Sequence, residues 1–355
     1  MLARFARNVL VSVNTLLIAA PAAAQYLSIT DLGDLGGGAS IATSINARGQ
    51  VAGASLREGA TTEGGFIWQD GVMTDLGSLG GTNTVAYAIN NRGQVVGGSN
   101  RAADASVGGF VWQNGVMTDL GGAISFALGI NDRGQVVGLV YAADRSSVSA
   151  FVWEKGVMTE LPRLGGNYAA AVGINERGQI VGQAVTAEGE AHAVIWEKGV
   201  ITDLGTLGGS YSVAYSVTAR GVACGFSTLA SGEVRAAVYA QGNVVDLGTL
   251  GGSVSQCLLG ASNPGEFVGM STVAGDSEYH AFITIDGVMT DLNPQIPPGS
   301  GWLLEYAYGL NERGQIVGGG HRDGVAQIRA FVLTGNGQQD EDEDGGSPGS
   351  ASRSR

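Results

Sequence analysis

The chain keeps returning to one nine-residue stretch, Met73-Thr74-Asp75-Leu76-Gly77-Ser78-Leu79-Gly80-Gly81. Its acidic-Leu pair recurs at Asp31-Leu32, Asp75-Leu76, Asp119-Leu120, Glu160-Leu161, Asp203-Leu204, Asp246-Leu247 and Asp291-Leu292, at spacings of 41 to 45 residues. A second anchor, a Gly followed by a short apolar run ending in Gly, starts at Gly49, Gly93, Gly134, Gly178, Gly221, Gly265 and Gly314. Both anchors count seven. A period of this length marks a repeat architecture, in which a unit cannot bury its own apolar face and must stack on its neighbours.

Each unit reads as four short strands, a to d. In the second unit they fall at 85–89, 94–98, 109–112 and 116–120, bounded by Gly, Asn and Asp turns. Four strands per 40 to 45 residues is the pattern of a propeller blade. The a–b turn Asn90-Asn91-Arg92-Gly93 recurs around Asn46, Asn131, Asn175 and Asn311. The Asn can hydrogen-bond the backbone two residues on, and the Gly can take the left-handed conformation. Thr218 and Ser262 replace the Asn in two units, and Pro264-Gly265 predicts a different turn in the sixth.

Strand a carries small residues at alternate positions, such as Ala86 and Ala88, Ala127 and Gly129, or Ala307 and Gly309. Blades converge on an axis, where little fits between inner strands. Strand c carries Phe66 and Trp68, Phe110 and Trp112, or Phe151 and Trp153, suited to the wider outer gap. The seventh unit runs out after strand c, while residues 27–32 form a strand d with nothing before it. The expected fold is therefore all-β, a seven-bladed β-propeller of four-stranded blades over 25–335, closed by the N-terminal strand completing the last blade.

The units, written Phe-x-Trp, Gly-Val-Met-Thr-Asp-Leu-Gly-x-Leu-Gly-Gly and Ile-Asn-x-Arg-Gly-Gln-Val-Val-Gly, resemble those of the HAF family of probable extracellular repeat proteins. The resemblance spans roughly residues 26–335 and implies a secreted bacterial repeat protein with no assigned activity. The His-Ala-Phe triplet that names the family stands intact at His280-Ala281-Phe282 and weakened at His192-Ala193-Val194, while other units replace the His by Gly, Ser or Arg.

The ends and composition agree with export. Residues 1–24 carry Arg4 and Arg7, an apolar run of about 12 residues and Ala22-Ala23-Ala24, which reads as a cleaved signal peptide. That run is shorter than the roughly 20 residues a spanning helix needs, so no membrane insertion is expected after cleavage. Losing two arginines takes the formal charge from −13 to −15, which repels nucleic acid. Residues 336–355, with Asp340-Glu341-Asp342-Glu343-Asp344, read as a disordered acidic and Gly/Ser tail. A monomer is expected.

Little in the sequence points to chemistry. No His-x-x-x-His or Cys-x-x-Cys spacing occurs, so no metal and no cofactor are expected, and no residue is marked as catalytic. His192 and His280 read as strand c starters facing solvent. Each repeated carboxylate reads as an acceptor for backbone N–H groups of the following Gly turn. Arg48, Arg92, Arg133, Arg177, Arg220 and Arg313 should ring the face bearing the a–b turns, where they would attract an anionic ligand. The b–c connections on the opposite face differ most between units, and specificity on a repeated scaffold is built in such loops. With the Pro-rich crossing 293–302 they offer Glu278, Tyr279, His280 and Trp302 as ligand-binding candidates. Cys224 and Cys257 sit in neighbouring units, where an oxidising compartment permits a disulfide. The expected function is a secreted or periplasmic, non-catalytic binding or scaffold module for protein or glycan. The alternatives are a carbohydrate-active hydrolase or lyase on the same scaffold and a structural envelope or matrix component.

Overall fold

The structure, a computed structural model, describes residues 26–262 and 265–335. The expected signal segment and acidic tail lie outside the described residues, as do Asn263 and Pro264. Apart from two single-turn 3-10 segments, Ala102–Asp104 and Asn293–Gln295, the regular structure is all β.

In the second unit strands a to d are Gly80–Ile89, Val95–Arg101, Val107–Gln113 and Val116–Asp119, each antiparallel to the next. Strand a starts five residues before its expected position, because the Gly80-Gly81 crossing is already extended and Gly80 pairs with Arg101. Four sheets have four strands, and a fifth has twelve, made of three consecutive units joined by the parallel pairs Val148↔Tyr168 and Ala191↔Tyr211. The N-terminal strand Tyr26–Asp31 lies antiparallel to Val325–Gly335, with Ile29 opposite Leu333, and supplies the seventh unit's fourth strand.

The core is a set of layers between units. Ala52 of the first unit packs with Ala86, Val95 and Phe110 of the second, and Ala42, Val51 and Phe66 of the first pack with Val317, Ala330 and Val332 of the seventh. The strand c phenylalanines fit a gap in their own sheet as well as the layer. A Cβ added to the strand b glycines Gly53, Gly97, Gly138, Gly182, Gly225, Gly269 and Gly318 would lie 1.8 to 2.1 Å from a strand a carbonyl oxygen, and at Gly53, Gly97, Gly138, Gly269 and Gly318 it would also meet a Phe ring. That close approach is why the second sequence anchor ends in Gly. Strand a is equally tight, since a Cβ at Gly129 would lie 2.6 Å from the Val172 oxygen of the next unit.

The a–b turns tie neighbours together. Asn90 Oδ1 accepts the N–H groups of Arg92 and Gln94 at 3.0 and 2.9 Å, while Nδ2 donates to Gln94 Oε1 at 2.8 Å and to the Asn131 carbonyl of the next unit at 3.0 Å. All four bonding capacities of this buried amide are used. The same cross-unit bond runs from Asn46 to Asn90, Asn131 to Asn175, Asn175 to Thr218 and Asn311 to Asn46, the last joining the seventh unit to the first. In the sixth unit Ser262 N–H still donates to Glu266 and Gly265 N–H to Ser262, as in the other turns. The expected change of turn does not extend to this backbone pattern, because the Gly keeps its positive φ of 100°.

Thr218 and Ser262 use their hydroxyls locally. Thr218 Oγ1 accepts the Val222 N–H at 3.2 Å, and Ser262 Oγ donates to Glu266 Oε2 at 3.0 Å. The layer between these two units has a different tie, the disulfide Cys224–Cys257, with both residues fully buried. Closing 33 residues by a disulfide stabilises by roughly 3 to 4 kcal/mol in the chain-entropy account. We expect Cys224→Ala/Cys257→Ala to lower stability by about that amount in urea unfolding. Thr218→Asn in that background should recover about 1 kcal/mol by restoring an amide donor. An unchanged midpoint in the double variant would mean that apolar burial alone holds this layer.

Candidate functional site

The a–b and c–d turns share one face, and the b–c loops and d–a crossings share the other. On the loop face each strand d ends in the repeated carboxylate. Asp75, Asp119, Asp203 and Asp246 each accept the N–H of the Gly two residues on at 2.8 Å. A basic side chain meets most of these carboxylates. Arg57 bonds Asp75, with Nε 2.6 Å from Oδ2, and Arg101 bonds Asp119 in the same way. His192 Nδ1 lies 2.7 Å from Asp203 and His280 Nδ1 2.7 Å from Asp291. Arg329 pairs with Asp31 and Asp34, and Arg163 lies 3.9 Å from Glu160.

These basic side chains come from different places in the repeat. His192, His280 and Arg329 occupy the first position of the His-Ala-Phe triplet. Where that position is Gly64 or Gly108, the guanidinium of Arg57 or Arg101 reaches in from strand b, and a Cβ there would lie 2.9 or 2.8 Å from it. Where it is Ser149, Arg163 arrives from the crossing and bonds the hydroxyl. Sequence reading of the triplet alone missed this shared arrangement. The legible signal was the coupling of Gly at the start of strand c with Arg at the end of strand b.

Several loop-face arginines also hold the next unit. Arg57 donates to the Thr82 carbonyl, Arg101 to Ala123 and Gly122, Arg235 to Ser253, and Arg329 to Gly38. The two histidines pair with the strand d carboxylate of their own unit, with side chains only 16 and 17% exposed, rather than facing solvent. His280 Nε2 is 4.0 Å from Glu278 and His192 Nε2 is 3.5 Å from Glu190.

The Arg101 guanidinium holds the Asp119 carboxyl below its ordinary value, helped by the Gly121 N–H. At Asp75, burial alone would raise the carboxyl, but Arg57 and the Gly77 N–H outweigh it and the result is lowered. A depressed folded value gives stability that is present above the unfolded carboxyl value of about 3.9 and is lost as pH falls through the lower folded value. These pairs are about one-third exposed, so each contributes at most about 1 kcal/mol. Arg101→Met should therefore cost more stability at pH 7 than in acid below the depressed Asp119 value, where the lost bonds to the Val107, Ala123 and Gly122 carbonyls remain as a cost, which thermal melts across that range would test.

The turn-face mouth is walled by the second turn residues Asn91, Asp132, Glu176 and Glu312 around about 310 Å³. The six turn arginines are not among its lining residues; Arg48 and Arg92 line a groove between the first two units with Gln50, Thr74 and Trp112, and Arg48 donates to the Asn91 carbonyl of the next turn.

Between the two mouths lies a cavity of about 240 Å³ whose wall takes Thr43, Tyr87, Leu128, Val172, Tyr215, Leu259 and Tyr308 from the strand a of successive units. Two aromatic rows lead from it. Tyr308 meets Tyr306 at 6.1 Å between ring centroids and Tyr306 meets Tyr279 at 6.0 Å. Tyr215 meets Phe226 at 5.9 Å and Phe226 meets Tyr211 at 5.5 Å. Burial pushes the phenols of Tyr87, Tyr306 and Tyr308 up and that of Tyr215 to about 12, so they stay neutral donors. Of the expected ligand candidates, Tyr279 joins this system. Trp302 packs edge-on against Phe331 at 6.0 Å beside the buried Leu304, His280 is held by Asp291, and Glu278 lies near His280.

The fold has a solved counterpart. The chain is similar to the β-propeller domain of the Trilobed protease from Pyrococcus furiosus, at 14% identity and a TM-score of 0.54 over 83% of this chain and 95% of that one; that domain is described as having an open velcro topology. The chain has a β-propeller fold. Weaker likenesses are to TolB from Acinetobacter baumannii (14% identity, TM-score 0.45, over 68% of this chain and 64% of that one) and to an acylaminoacyl peptidase from Pyrococcus horikoshii (11%, 0.48, 82% and 51%). No protein-family model and no curated protein matches the sequence. At these identities the propeller likeness speaks to fold alone. Among the described residues no helix is long and apolar enough to cross a membrane, and the disulfide is compatible with an oxidising compartment.

Proposed function

We propose that this chain is a non-catalytic binding module of the HAF type, exported to the periplasm or beyond, whose ligand enters the axial cavity from the loop face. The observation that carries the reading is the chemistry of the cavity wall. Its side-chain polar groups are the hydroxyls of Thr43, Ser44, Tyr87, Tyr215, Ser216 and Tyr308, set among aliphatic residues. Hydrolysis or elimination needs paired carboxylates, or a base with a partner, beside the reacting bond. On the loop face Asp31, Asp75 and Asp119 are engaged by arginines, and His192 and His280 by Asp203 and Asp291.

In this reading seven blades form a closed ring. Support comes from the pairing of Tyr26–Asp31 with Val325–Gly335, the bond from Asn311 to Asn46, and a cavity lined from strand a of every unit. Screening the chain, from Gln25 onward, against extracellular polysaccharides and proteins, with product analysis alongside binding, tests the proposal. Saturable binding without product is expected. Product formation would make the chain an enzyme, and failure to saturate with any soluble probe would favour a structural matrix component.

A further inference from the structure

The two aromatic rows and the cavity they leave carry a more specific reading of the same site, one that rests on the binding-module proposal above. Each row begins in the cavity wall, at Tyr215 or Tyr308, and runs outward in steps of about 6 Å to Tyr211 or Tyr279. Tyr211, at the outer end of one row, is 40% exposed. Five of the six rings in the two rows carry a hydroxyl, so each offers a flat apolar face and a neutral polar edge together.

Ser216 stands among the wall residues at 3% exposure, and its buried hydroxyl, like the imidazole Nε2 of His192 on the loop face, has no hydrogen-bond partner among the described residues.

Charge decides the class of ligand. The cavity wall has no carboxylate, guanidinium or ammonium group among its described residues, and its phenols are held protonated. Nearby, Glu305 is engaged by His321 Nδ1 at 2.5 Å, and the loop-face arginines are bound to carboxylates and carbonyls of the framework. A charged ligand would lose its hydration without gaining a counter-charge. A ligand made of flat rings with apolar C–H faces and hydroxyl-bearing edges loses nothing of that kind, and stacks and hydrogen-bonds at once.

We propose that the two tyrosine rows and the cavity between them bind a neutral oligosaccharide, its pyranose rings stacked on Tyr211, Phe226, Tyr306 and Tyr279 and its end reaching Tyr215 and Tyr308. The probes are cellohexaose, maltohexaose, laminarihexaose, xylohexaose and chitohexaose as neutral chains, polygalacturonate as an anionic chain, and a decaproline peptide as an unbranched apolar one, each titrated by calorimetry against the chain from Gln25 onward. At least one neutral hexamer should saturate. Tyr211→Ala and Tyr306→Ala should each weaken it about tenfold or more, Tyr306→Phe less than Tyr306→Ala, and Arg133→Ala on the turn face should leave it unchanged. Equal melting temperatures across the variants separate loss of the site from loss of the fold.

Three results would overturn the glycan assignment: tighter binding of polygalacturonate or decaproline, neutral binding insensitive to both Ala variants, or no neutral hexamer binding. If decaproline bound and was lost in Tyr211→Ala, the binding-module reading would stand and only the ligand class would fall. Cleavage of a hexamer would instead remove the non-catalytic reading.

Discussion

A chain beginning at Asp34, without the N-terminal strand, is expected to lose at least about 5 kcal/mol of stability, a large part of the 5 to 15 kcal/mol typical of a folded domain. The strand Tyr26–Asp31 is the outer partner of Val325–Gly335, and Leu32, which is 4% exposed, follows it into the layer between the seventh and first units. Burying Leu32 and the partly buried Ile29 contributes about 3 to 5 kcal/mol. The deletion also strands Arg329, which loses Asp31 and keeps Asp34, and leaves Arg322 without its carboxylate. The edge of Val325–Gly335 is then open, and an open edge invites pairing with another chain. The melting temperature should fall by about 10 °C or more and the product should aggregate on heating, whereas a chain beginning at Gln25 should melt as the full chain does. A synthetic peptide of residues 25–33 added to the truncated chain should raise its melting temperature again. Equal melting of the truncated and full chains would show that the strand is dispensable.

The second large effect comes from one methyl group. Gly97→Ala would place a Cβ 2.0 Å from the Val85 carbonyl oxygen and 2.8 Å from the Phe110 ring, and neither neighbour has room to move. Phe110 is fully buried, and Val85 lies in strand a, next to the irregularity between Ala86 and Ala88. Overpacking of this sort costs about 3 kcal/mol, near the upper end of its usual range. Gly115→Ala is the informative comparison. Gly115 has φ of 84° with nothing within 4 Å of an added Cβ, so only the conformational term of about 1 to 2 kcal/mol applies. Chemical denaturation should rank Gly97→Ala well below Gly115→Ala. The opposite order would mean that strand a can slide away from strand b, and that the close approach is not what fixes the glycine.

These two predictions draw on different kinds of legibility. The half-unit at each end of the chain was visible as sequence, because a strand d without a, b and c beside a unit lacking d leaves few other pairings. The glycine in strand b was visible only as an anchor. Its cause needed coordinates, since a carbonyl 2 Å from an absent methyl leaves no trace in composition.

The period, the strands and the a–b turn chemistry were determined by the sequence itself. They rest on local physics: alternation along a strand, an Asn side chain reaching two residues on, and a glycine such as Gly93 with its φ of 75°. Small residues in strand a belong to this class, because convergence on an axis imposes the same limit on every copy. Tertiary structure decided which groups meet across units. It gave the asparagines a second bond to the next turn, put the disulfide in a layer whose turn has Thr218, and set the His of the triplet against the strand d carboxylate, a place that Arg57, Arg101, Arg163 or Arg329 takes in other units. It also drew Tyr279, Tyr306 and Tyr308 into one row although they lie in two different units. The physical reason is that a periodic sequence repeats what each unit needs for itself, whereas contacts between units can be met from any position that reaches the same point in space.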